Sequence, residues 1–106
     1  MKLYIAGPMT GVPEFNYPAF RTAESDLRAL GYDVLNPITA EQHNTTGKPQ
    51  SWEWYMRHAL RMVVASDGVS LLPGWSMSRG AQLEHHVATQ LGLDVRPHLN
   101  WIEDAA

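Results

Sequence analysis

The chain has no cysteine. Disulfides, thiolate nucleophiles and zinc–thiolate centres are thereby excluded, and a reducing compartment is compatible. Positive charge is also scarce: 8 lysines and arginines stand against 11 acidic residues, for a formal net charge of −3. A nucleic-acid polymer needs a basic face to neutralise its phosphates, and no basic cluster exists, so no such partner is expected. Neither an 18-residue apolar run nor a signal peptide is found, the run 1–7 being too short for one; no membrane partner follows, and a soluble, cytoplasmic protein is predicted. The G-x-G-x-x-G fingerprint and the Walker lysine motif are both missing, which removes dinucleotide binding and NTP hydrolysis. His85 and His86 are neighbours on a predicted helix, about 100° apart, and cannot share one ion. No His-x-x-x-His pair occurs, so neither a metal nor any other cofactor is expected.

What is present is the composition of one ordinary globular domain, spanning residues 1–106, with 44% hydrophobic and 18% charged residues. The apolar run 3–6 ends at Gly7-Pro8 and predicts a buried first strand. The loop Gly7-Pro8-Met9-Thr10-Gly11-Val12-Pro13 carries glycines that permit close backbone approach to a ligand. Asn16 is predicted to cap a helix with Pro18 in its first turn, an apolar face of Phe20, Ala23, Leu27 and Leu30, and Gly31 as its stop. A strand over 32–35 is stopped by Asn36-Pro37. The polar stretch 38–50 reads either as a lid or specificity loop or as disorder. Ser51 caps a second helix, whose Trp52, Trp54 and Tyr55 stack a base or serve as core or interface. After Asp67-Gly68 come a strand over 69–72, a third helix stopped by Gly92, a fourth strand over 93–96 and a tail from His98. Its apolar residues Leu99, Trp101 and Ile102 dock on a neighbour or on the chain's own body.

The order β-α-β-α-β-α-β predicts an α/β fold, a single Rossmann-like or flavodoxin-like domain with a four- or five-stranded parallel sheet flanked by helices. Ligands of such sheets sit at the carboxyl ends of the strands, where the 7–13 and 73–78 loops both emerge. Ser78 is placed to cap the third helix, and Arg79 and Gly80 follow, so free N–H groups, a helix dipole and a guanidinium face one anion. Glu84 lies six residues further, about 9 Å along the axis. Phosphate at the cap and carboxylate below would bracket the ribose of a small nucleotide or nucleoside, and Trp75 in the loop would wall the cavity.

Three segments together, Tyr4-Ile5-Ala6-Gly7-Pro8-Met9-Thr10-Gly11, Asp67-Gly68-Val69-Ser70-Leu71-Leu72-Pro73-Gly74-Trp75 and Ser78-Arg79-Gly80-Ala81-Gln82-Leu83-Glu84, resemble the nucleoside 2-deoxyribosyltransferase superfamily. The likeness is greatest to a small phage and bacterial branch, and the superfamily includes the 2′-deoxynucleoside 5′-phosphate N-hydrolases. The resemblance implies that Glu84 is a nucleophile attacking the anomeric carbon, with a glycosyl ester resolved by water or a second base. It implies that Ser78 and the loop Gly7, Pro8, Met9, Thr10 and Gly11 lie on the phosphate side. Asn16, Trp75, Arg79 and Gly80 complete the expected binding set. A homodimer or higher homo-oligomer, in a bacterial or phage-infected cell, is implied as well.

One position departs from the superfamily. Eight residues before Asp67, where an aspartate would help protonate the leaving base, stands Ala59. Asp33, Asp67, Glu53 and His58 are candidate replacements. Loss of a general acid is worth about 10²–10⁴-fold in rate. A non-catalytic nucleotide-binding protein is therefore the alternative to an enzyme, and a purely structural role leaves both ligand-facing loops unexplained.

Overall fold

The apolar run after Met1 becomes β1 (Lys2–Ala6), whose residues from Leu3 to Ala6 have no exposed surface. In this computed structural model, which describes residues 1–105, β1 is flanked by β2 (Asp33–Leu35) and β3 (Gly68–Leu71), and β3 by β4 (Asp94–Pro97). All pairs are parallel and the order is β2-β1-β3-β4. Burial on both faces is why the central strands β1 and β3 are short, mostly apolar runs, whereas the edge strands β2 and β4 carry charged residues. Helices α1 (Tyr17–Ala29) and α4 (His98–Asp104) cover one face, where Leu3, Ile5, Phe20, Leu27 and Trp101 pack together. Helices α2 (Trp52–Ala65) and α3 (Arg79–Gln90) cover the other, with Tyr4, Val69, Met56, Val63 and Ala88. The fold is the four-stranded flavodoxin-like form of the expected architecture.

Local chemistry accounts for most boundaries. Ser51 Oγ accepts from the Trp54 amide at 3.1 Å, and Ser78 Oγ from the Ala81 amide at 3.3 Å, each capping its helix. Asn16 differs from expectation. Its own φ is +62° and its side chain caps nothing; Nδ2 donates instead to the Pro8 carbonyl at 3.0 Å. Glu14 and Phe15 are left-handed as well, with φ of +55° and +52°. Three successive non-glycine residues in that region store strain of about 1–2 kcal/mol each.

The stretch 38–50 carries local structure of its own. Pro37–His43 forms a 3-10 turn capped by Asn36, and the Gln50 amide donates to Thr46 Oγ1 at 2.8 Å. The tail docks on its own sheet: Trp101 is buried and donates from Nε1 to the Val69 carbonyl at 3.0 Å. His98 adds a buried hydrogen bond to Ser70 at 2.8 Å. Strand β3 runs one residue earlier than expected, and Leu72 follows it with its amide bonded to the Ala6 carbonyl at 2.8 Å.

Gly7 is required by close approach. A Cβ there would stand 2.8 Å from the Leu72 Cβ, backed by the rest of that buried side chain. Gly7→Ala is expected to cost about 1–3 kcal/mol through overpacking, read as a lower urea midpoint at unchanged slope.

Candidate active site

In an open parallel sheet the crevice forms where strand order reverses. Here that point lies between β1, which leads outward to β2, and β3, which leads to β4 on the other side. A cavity of about 720 Å³ opens at their carboxyl ends. Gly7, Pro8, Met9 and Thr10 form one wall, and Ser78, Arg79 and Gly80 bring the start of α3 to the other. Glu84 faces the same space from the next turns of α3, and Ala59 from α2.

Three of the expected binders lie elsewhere. Gly11 is exposed beyond the loop's turn and does not line the cavity. Asn16 works from behind, fixing the loop through Pro8. Trp75 turns away: Gly74 at φ +85° starts a 3-10 turn over Trp75–Met77, and the indole stacks on His85 at 4.4 Å. Met77 lines the cavity at its rim, 88% exposed, whereas Trp75 does not line it.

Glu84 is the chemical centre. It is 5% exposed, on the inner stripe of α3 with Ala81 and Ala88, and its Oε2 accepts from the Tyr4 hydroxyl. Burial disfavours the carboxylate and pushes the Glu84 pKa up to about 8; the Tyr4 hydrogen bond opposes this without cancelling it. Burial and the adjacent carboxyl likewise push the Tyr4 hydroxyl well above its ordinary value. The shift favours the protonated form of Glu84 in the free protein. Tyr4 was not singled out in the sequence because it reads there as a strand residue. Alternation along β1 is the only signal, placing Tyr4 and Ala6 toward α2 and α3.

Arg79 lies with its guanidinium 3.7 Å above the Trp52 ring, which pre-orients the charge at the cavity mouth. Among the described residues lining the cavity, Arg79 is the one cation and Glu84 the one carboxyl. None of the four candidate proton donors lines it. Asp67 sits at the amino end of β3 and accepts from the Lys2 amide at 2.7 Å, and Asp33 begins β2, so both occupy the opposite edge of the sheet. Glu53 is exposed on α2, and His58 stacks on His43 at 5.2 Å and meets Trp54 at a tilt of 53°, with 4.3 Å between ring centres. No group of three or more His, Cys, Asp or Glu among the described residues could hold a metal ion. No helix among them is long and apolar enough to cross a membrane.

Residues 1–96 match a family model described as a domain of unknown function, DUF4406. The chain belongs to the DUF4406 family. Comparison with curated proteins returns no match. Among solved structures this DUF4406 chain is similar to the 2-deoxyribosyltransferase of the psychrotolerant bacterium Bacillus psychrosaccharolyticus, described as a biocatalyst for the synthesis of nucleosides. The TM-score is 0.64 and the identity 22%, over 90% of this chain and 69% of that one. This chain thus shares the fold of that 2-deoxyribosyltransferase.

Proposed function

We propose that the chain cleaves or exchanges the N-glycosidic bond of a nucleoside or deoxynucleoside, or of its 5′-monophosphate, through a glycosyl ester on Glu84. The observation that carries this is the buried Glu84 carboxyl, held by Tyr4 in a cavity whose rim offers a helix N-terminus and Arg79. Glu84 also falls where the superfamily resemblance implies the nucleophile. The ionised carboxylate attacks C1′, the base leaves with the electron pair of the C–N bond, and water or a second base opens the ester with overall retention. Tyr4 orients the attacking oxygen. Ser78, Arg79 and the first N–H groups of α3 hold the 5′-phosphate or ribose hydroxyls.

A panel of nucleosides and 5′-monophosphates, assayed for free base and for a sugar adduct on Glu84 by mass spectrometry, tests the proposal. Absence of base release from every substrate overturns it. Within the panel, Arg79→Ala is expected to raise KM for monophosphates about 10- to 100-fold, the worth of a lost charge-assisted hydrogen bond, and to leave free nucleosides nearly untouched.

A second reading is favoured by Ala59: a nucleotide-sequestering protein without turnover. A ligand would then raise the melting temperature and be recovered intact. Homo-oligomer formation accompanies the first reading, and light scattering at assay concentration measures it.

A further inference from the structure

The cavity is rich in aromatic rings and poor in acids. Phe15, Tyr17, Trp52 and Tyr55 line it, whereas Ala59 presents a methyl group and Glu84 is the one lining carboxyl among the described residues. The lining hydroxyls are poor proton donors. Tyr4 already donates its hydroxyl hydrogen bond to Glu84, and Tyr55 donates to Glu41 Oε2 at 2.7 Å. Both of these tyrosines, and Tyr17 too, hold their protons above the ordinary range, through burial and nearby carboxylates. A neutral base leaving this cavity would depart as an anion without help.

We infer that the preferred substrates are N-glycosides whose base already carries a positive charge, such as pyridinium or N7-alkylated purine ribosides and deoxyribosides. The inference rests on the proposed glycosidic chemistry and names its substrate class. The step balances without an acid. A Glu84 Oε–C1′ bond forms, and the C1′–N bond breaks with its electron pair passing to the ring nitrogen. That pair cancels the ring's charge, and the base leaves as a neutral molecule. Water then attacks C1′ of the ester, releasing the sugar, and its proton ends on the Glu84 carboxylate.

Two further features favour a cationic base. Aromatic faces attract cations, and the cavity already uses one this way, at 3.7 Å between Arg79 and Trp52. Moreover, among the described residues no cation is hydrogen-bonded to Glu84, whose one partner there is the neutral Tyr4 hydroxyl. A positive ring near C1′ lowers the cost of ionising the buried carboxyl, so such a substrate supplies the charge that turns Glu84 into a nucleophile.

The decisive comparison is a matched pair, guanosine 5′-monophosphate and its 7-methyl derivative, in both the ribose and 2′-deoxyribose series. Nicotinamide riboside 5′-monophosphate forms a third arm that separates pyridinium from purine. Expected is base release at least ten-fold faster from the 7-methyl member, corrected for the uncatalysed rate. Ala59→Asp should narrow that ratio at least ten-fold by restoring a proton donor for the neutral base. Because methylation also weakens the bond itself, affinity is measured on Glu84→Gln, where the 7-methyl compound should bind at least ten-fold more tightly. This arm decides the matter if Ala59→Asp does not fold. Rates or affinities differing less than ten-fold, or a ratio unmoved by Ala59→Asp, overturn the inference and leave glycosidic cleavage standing. No base released from any arm overturns both.

Discussion

Glu84→Gln is expected to flatten the dependence of stability on pH between about pH 4.5 and 8. The folded protein holds the Glu84 proton up to about pH 8, whereas the unfolded chain releases it near the ordinary 4.5. Between those values the native state binds one proton more than the unfolded state, so stability falls as pH rises. The contribution is complete below about pH 4.5 and gone above about pH 8. Its slope reaches about 1.4 kcal/mol per pH unit, or about 5 kcal/mol over the whole window. Glutamine keeps an acceptor for the Tyr4 hydroxyl and removes the titration. Whatever the two proteins share cancels in the difference. Urea midpoints of the two proteins at half-unit steps measure it; parallel curves would show that Glu84 ionises freely and that its burial carries no penalty.

The second large effect is on turnover. Glu84→Ala is expected to reduce base release by 10⁴-fold or more, as loss of a covalent nucleophile does. Tyr4→Phe should cost about 10- to 100-fold, since a buried acceptor loses its donor while the carboxylate itself remains. Removing a hydrogen bond that favours the ionised form also moves the Glu84 pKa upward. For the wild type, kcat/KM rises with pH through about 8, because the free protein must first give up the Glu84 proton. In Tyr4→Phe the same limb is displaced to higher pH. A merely structural tyrosine would lower the plateau without moving the limb.

Much of this could be read from the chain because it depends on neighbours in sequence. The caps at Ser51 and Ser78 need only a hydroxyl and an amide three residues on. Strand–helix alternation places the 7–13 and 73–78 loops at one edge of a parallel sheet. Expectations failed where a few backbone angles decide a direction. The left-handed 14–16 segment took Asn16 out of its capping role, and the 3-10 turn after Gly74 carried Trp75 onto His85.

By itself, the sequence determined the alternating α/β architecture, the capped helix carrying Ser78, Arg79 and Glu84, and the absence of an acid at Ala59, since each is a local pattern. Tertiary structure alone decided that Tyr4 meets Glu84 across 80 positions, that Trp52 seats Arg79, and that the Glu84 carboxyl holds its proton to about pH 8. Contacts between distant segments create those pairings. Desolvation by burial against segments distant in sequence, Tyr4 of β1 among them, governs the charge, and no window of sequence contains that environment.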